Sequence, residues 1–206
     1  MSAADDEWFL EPDGVSCEEL AARVITAGTV PRPPRPPYRP DVVYPLALDL
    51  RGEQATVSFA VLDLHPDIAT GWWCLAMEFE RTPEGGWREC GEHDNTTSPT
   101  PFRRPDYVEG EVSGWIHWHS NGGISRGRDG RWSHDYFGIA PVTTARLVIT
   151  TDEGHERDLP ITPWNGAYAT TVMARSSTLT GLAADGRVLG TARLGGVTKW
   201  DEIASS

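Results

Sequence analysis

The chain predicts a mainly β protein, an antiparallel β-sandwich with a β-barrel as the alternative. One short N-terminal helix and a polyproline segment precede it. Three observations carry this reading. From Val42 onward apolar and polar residues alternate at period two, as in Val57, Phe59 and Val61 against Thr56, Ser58 and Ala60. The extended runs are short and bounded by Gly, Asp, Asn and Pro, with no helical period of useful length between them. At 206 residues and 39% apolar, the chain is long enough to bury a core without disulfides or metal. The expected organisation is an acidic tail and helix over 1–30, a polyproline linker or strap over 31–41, and the β domain over 42–200.

The helix is expected from Ser16, a capping residue with Glu19 three positions on, to Gly28, a left-handed stop. Leu20, Val24 and Ile25 form its apolar stripe, which three turns can bury only against another element. Six of the next ten residues, Pro31 to Pro40, are proline, which favours a stiff polyproline II strap. Pro34-x-x-Pro37-x-Arg39 also has the spacing of an SH3 ligand.

Strands are expected near 42–50, 56–61, 70–80, 111–119, 131–138, 144–151, 155–162, 167–174, 177–184 and 187–194. Asp185-Gly186 and Asn165-Gly166 both read as two-residue type I′ hairpin turns. The first pairs Thr180 with Thr191, Leu182 with Leu189 and Ala183 with Val188. It sends Leu179, Ala183, Val188, Ala192 and Leu194 to the core face. The second pairs Leu159 with Val172 and Ile161 with Thr170, with Pro160 and Pro163 confining that strand to an edge. Residues 81–107 and 121–130 read as two long polar loops, the first holding one hairpin.

The stretch from about Pro141 to Leu194 resembles the small immunoglobulin-like or carboxypeptidase-regulatory-like sandwiches of bacteria. The resemblance rests on Arg146-Leu-Val-Ile-Thr-Thr-Asp-Glu-Gly154, Asn165-Gly-Ala-Tyr168 and Asp185-Gly-Arg-Val-Leu189. It covers about a quarter of the chain. It implies a fold that binds or spaces, and it carries over no functional residue.

Charge narrows the partners. Thirty acids against eighteen bases leave a net charge of −12, and residues 1–30 supply half of it, with seven acids and the single base Arg23. A field of that sign repels phosphate backbones and anionic lipid, so neither nucleic acid nor a membrane surface is an expected partner, whereas a basic protein is. The longest apolar run, Trp72 to Met77, is too short for a spanning helix, and the acidic start lacks the apolar core of a secretion signal. Cys17, Cys74 and Cys90 are odd in number and widely spaced, which suits reduced thiols in a cytoplasm.

No catalytic motif is complete. His117 and His119 would share one side of a strand and reach a common divalent metal, with His134, His93 or a nearby carboxylate completing the set. Cupins use such a His-x-His, but Gly123 and Ile124 stand where the following glutamate should be, and no cofactor is expected. In Ser133-His134-Asp135 alternation turns the histidine away from both neighbours, which excludes a triad. Nine tryptophans exceed what a sandwich core needs, and Gly71-Trp-Trp73 and Gly85-Gly-Trp87 match the Gly-x-Trp of lipocalins. The candidate binding region lies where the two long loops meet, with Arg103, Arg104, Arg126 and Arg128 beside Trp115, Trp118 and Trp132. The expected function is a non-catalytic cytoplasmic protein-interaction module. The alternatives are a Trp-lined barrel binding a small apolar ligand, as a cyclase or isomerase would, and a His-x-His metal enzyme.

Overall fold

A computed structural model describes residues 16–33, 38–39, 42–63, 71–98, 101–104, 125–126 and 132–195. They form one helix and eleven strands in three antiparallel sheets. The helix α1 (Cys17–Ala27) starts where Ser16 Oγ accepts a hydrogen bond from the Glu19 amide at 3.2 Å. It ends at Gly28, whose φ of 65° lets its amide reach Ile25 O at 3.1 Å. The first sheet runs in the order β1 (Val43–Arg51), β2 (Gln54–Asp63), β3 (Gly71–Arg81) and β4 (Trp87–Ser98). The apolar side of α1 (Leu20, Ala21, Val24 and Ile25) covers one face of this sheet, against Val57, Phe59, Leu75 and Phe79.

The second sheet is β5 (Ser125–Arg126), β6 (Trp132–Ile139) and β9 (Ala167–Val172). The third has the order β11-β10-β7-β8, built from β7 (Arg146–Thr151), β8 (Glu156–Leu159), β10 (Ser176–Leu182) and β11 (Val188–Gly195). The β6–β9 pair is covered on both sides. Phe137, Ile139, Ala167 and Ala169 pack against Tyr44, Ala60, Trp72 and Cys74 of the first sheet. Tyr136, Tyr168 and Val172 pack against Leu147, Ile149, Leu159 and Leu179 of the third. Among the described residues no sheet closes on itself, so the architecture is the sandwich-like one and not the barrel. No described helix is long and apolar enough to cross a membrane.

The strands near 42–50, 56–61 and 70–80, and those from 131 onward, fall where alternation puts them; the expected strand at 111–119 lies outside the described residues. Pro45 sits inside β1 because that strand is an edge and bulges there: Pro45 faces Phe59, Ala47 faces Ser58, and Leu46 is the extra residue. The bulge brings the consecutive Leu46 and Ala47 into one core.

Three expectations need correction. The polar stretch after Arg81 is not mainly loop: residues 87–98 are β4, hairpinned to β3 through a turn in which Gly85 takes a φ of 87°. As an edge strand, β4 alternates half-buried Trp87 and Glu89 with exposed Arg88 and Cys90, so it carries no hydrophobic period. The Asp185-Gly186 turn is not type I′. The Ala183 amide bonds Arg187 O at 2.9 Å around a three-residue connection, in which Gly186 takes a positive φ of 84°. The expected register holds from Ser176 to Gly181, then slips so that Leu182 faces Val188. In consequence Val188 is exposed and Leu189 buried, the reverse of the expected facing. Finally, Asn165-Gly166 makes no hairpin. β8 pairs only with β7, at the edge that its prolines foretold, and β9 pairs with β6. The turn instead closes on itself, the Thr162 amide meeting Ala167 O at 2.8 Å and the Asn165 side chain capping the Ala167 amide at 3.0 Å. Thus the 141–194 stretch divides its strands between two sheets.

Gly138 is required by its partner across the strands. A Cβ there would lie 2.7 Å from Tyr168 Oη and 3.0 Å from Tyr168 Cζ, since the tyrosine ring lies across the glycine. The Tyr168 hydroxyl is itself buried with no hydrogen-bond partner. We expect Gly138→Ala to cost about 1–3 kcal/mol by overpacking. Tyr168→Phe alone should be neutral or stabilising, because it removes an unsatisfied buried hydroxyl, and the double variant should recover part of the loss. Urea denaturation of the three variants checks this.

Candidate functional site

Five aromatic rings gather at one side of the first sheet. Tyr44 opens β1, Trp72 opens β3, Phe102 follows Pro101, and Trp164 lies in the turn before β9. The fifth is Tyr38, from the proline-rich segment. It stacks on Phe102 at 4.4 Å between ring centroids and meets Trp72 and Tyr44 edge-on at 5.3 and 5.6 Å. Phe102 also stacks on Trp164 at 6.2 Å. The Arg39 amide donates to Tyr44 Oη at 2.9 Å, so backbone as well as ring is held. Trp164 Nε1 is buried with no acceptor. Offset and edge-to-face contacts of this kind are worth about 0.5–1.5 kcal/mol each beyond area burial.

Arg104 borders this box and has structural work. Its Nε donates to Ala140 O at 3.1 Å, and its terminal nitrogen donates to Pro141 O and Thr144 O at 2.5 and 2.8 Å. Burial holds its pKa below the usual arginine value. The side chain passes so close to Gly166 that a Cβ there would lie 2.7 Å from Arg104 Cγ. Phe102 and Arg104 are thereby fastened to the turns before β7 and β9, while Arg103 is exposed.

A second polar cluster joins the three sheets. Asp49 of β1 is 2% exposed. It accepts from both terminal nitrogens of Arg157, at 3.3 and 2.8 Å, and from Thr170 Oγ1 at 2.5 Å, and Arg51 Nε lies 3.1 Å away. Arg51 also donates to Thr171 O at 2.5 Å and to Thr56 Oγ1 at 3.0 Å. Burial lowers the Arg51 pKa, with Asp49 opposing. Beside it a cavity of about 10 Å³, room for one water, is lined by Arg51, Gln54, Glu78, Phe79, Cys90 and Thr171. Burial and then Glu78, Glu80 and Glu89 push the Cys90 thiol up to about 11, and burial alone raises Cys74, so both stay protonated near neutrality. The three cysteines form no disulfide.

His134 faces the opposite way from Asp135, as alternation requires. Its Nε2 and Ser177 Oγ of β10 are hydrogen-bonded at 2.6 Å, and Tyr136 Oη reaches the same Oγ at 2.7 Å. His134 and Ser177 are 1% and 2% exposed, so this serine–histidine contact is interior, out of reach of a substrate. Burial lowers the His134 pKa, Asp152 pulling the other way, and Nδ1 has no partner.

Of the candidate residues, Trp115, His117, Trp118, His119 and Arg128 lie outside the described residues. Arg126 and Trp132 are brought together as directly paired positions of β5 and β6. His134 is committed to Ser177 and Tyr136, and among the described residues no group of three His, Cys, Asp or Glu is placed to hold a metal. Sequence reasoning missed Tyr38, Tyr44 and Phe102. The signal was present, since Tyr38 is the lone aromatic in the proline run and Phe102 is flanked by Pro101 and two arginines. No protein-family model matches the chain, and no curated protein matches it.

Two outcomes follow. Asp49→Ala leaves two arginines facing each other with their shared carboxylate gone, and should cost about 3–5 kcal/mol. Breaking the exposed Arg146–Asp158 pair by Arg146→Ala should change stability by no more than about 0.5 kcal/mol. Chemical denaturation distinguishes them. For His134 the folded-state pKa is depressed, so its contribution is intact above the unfolded value of about 6.5 and is lost as pH falls from there toward the folded value. The stability difference between wild type and His134→Gln should therefore shift against wild type between about pH 7 and pH 5.

Proposed function

We propose that this chain is a non-catalytic, cytoplasmic protein-interaction module that docks onto a basic partner. The observation that carries this reading is the structural employment of several reactive side chains among the described residues. Asp49, Arg51 and Arg157 hold strands to one another, Arg104 holds three carbonyls, and His134 and Ser177 hold each other inside the core. Side chains bound in this way fix a frame rather than turn over a substrate. The charge of −12, half of it within residues 1–30, favours a basic partner by long-range attraction. The three unbridged thiols suit a reducing compartment.

The test uses the full chain beside a variant with Asp5, Asp6, Glu7, Glu11 and Asp13 changed to Asn or Gln. Affinity capture followed by crosslinking should retain one stoichiometric protein at low salt, and lose it both at high salt and in the neutralised variant. A chain that stays monomeric and retains no protein at low salt overturns the reading, as does capture indifferent to salt and to the acids.

A further inference from the structure

We infer that the aromatic box formed by Tyr44, Trp72, Phe102 and Trp164 is a docking site for a basic, proline-rich segment bearing a tyrosine. In the structure the chain's own Tyr38 occupies it as a competitor. The inference rests on the interaction-module reading and names the chemistry of its partner. Three observations lead to it.

The occupant displays the recognition. Tyr38 inserts its ring among three others at centroid distances of 4.4 Å to Phe102, 5.3 Å to Trp72 and 5.6 Å to Tyr44, and the next amide, Arg39 N–H, bonds Tyr44 Oη at 2.9 Å. One ring and one backbone group are read together, the pattern by which aromatic grooves take polyproline ligands. Proline-rich chain suits the task because it is already extended and loses little entropy on docking.

Charge agrees. The proline run of the sequence that contains Tyr38, residues 31–40, carries Arg32, Arg35 and Arg39 and no acid, on a chain whose net charge is −12. A foreign segment of the same character would be attracted by that net negative charge.

The box also keeps an unspent donor. Trp164 Nε1 is buried with no hydrogen-bond partner. An indole N–H is a donor only, and a proline-rich ligand offers carbonyls that its missing N–H groups leave unpaired. Tethering gives Tyr38 an effective concentration in the millimolar range, so the resting box is closed to weak ligands.

The experiment uses a fluorescent peptide of the sequence at 31–40 and the same peptide with alanine for its tyrosine. Each is titrated by anisotropy against full-length wild type and Tyr38→Ala. The Tyr38→Ala chain should bind the tyrosine peptide at least about tenfold more tightly than wild type, because the tethered competitor is gone, and neither chain should bind the alanine peptide comparably. Equal affinity of the two chains, or equal binding of the two peptides, overturns the proposal. Hydrogen exchange at the Arg39 amide of wild type gives a readout that needs no variant. Excess peptide should accelerate it as Tyr38 is displaced, and an unchanged rate also overturns the proposal. A concentration-dependent wild-type dimer that Tyr38→Ala abolishes would assign the box to a second copy's strap and overturn the foreign partner. Peptide failure with acid-dependent capture intact removes this inference alone. Loss of that capture with peptide binding intact removes the acidic docking instead.

Discussion

The structure depends on covering the β6–β9 pair from both sides. Every side chain of β9, from Ala167 to Val172, is buried, and so are all those from His134 to Ala140. A ribbon in that position meets water on neither face, so each polar group it carries needs a partner or costs desolvation energy. Thr170 and Thr171 meet Asp49, Arg157, Arg51 and Thr56, while His134 and Tyr136 meet Ser177. The partners come from the first and third sheets. The polar bonds that satisfy the ribbon are therefore also those that align its two neighbours.

Small residues make that covering possible. Ala47 and Ala60 face Ala167 and Ala169 in one core, and Gly138 admits the Tyr168 ring in the other. Where the ribbon turns, Gly166 leaves room for Arg104, and Arg104 binds the carbonyls of the next turn. Phe102 is two residues from that clamp, and Trp164 two residues from that glycine. Two walls of the aromatic box are thus set by the same close approaches that order the interior.

The box in turn connects the sandwich to its N-terminal arm. α1 covers one face of the first sheet, whereas Tyr38 packs in the core on the other face. Val30, just past the helix, packs in the first of these cores, so the described residues before β1 contribute to both faces of the sheet. Tyr38 is seated among Tyr44, Trp72 and Phe102, rings contributed by three separate segments. On the proposed reading, access to such a box is governed by the release of one side chain, unlike access to a patch left open to solvent.

Much of the frame was legible from local pattern. The Ser16 and Gly28 caps, the apolar stripe of α1, the alternation of β2 and the edge position of β8 follow from chemistry within a few residues. So does the opposite facing of Trp72, buried, and Trp73, 37% exposed. What the sequence left open are the features settled between distant segments. Asn165-Gly166 permits a hairpin, but β9 finds a better-buried partner in β6, and the turn serves a crossover. The slip after Gly181 exchanges Val188 for Leu189 at the core, a choice made by packing and not by alternation. β4 escapes notice because an edge strand needs no apolar period when its neighbour supplies the hydrogen bonds. The arginines looked like a surface feature of the loops. Only the fold reveals that Arg104 is turned inward onto carbonyls and that Tyr38, 64 residues before Phe102, stacks on its ring. Periodicity and caps determine which segments extend or coil, because those preferences are local. Pairing, facing at a bulge and the gathering of rings depend on the desolvation of groups far apart in the chain, which only the tertiary structure decides.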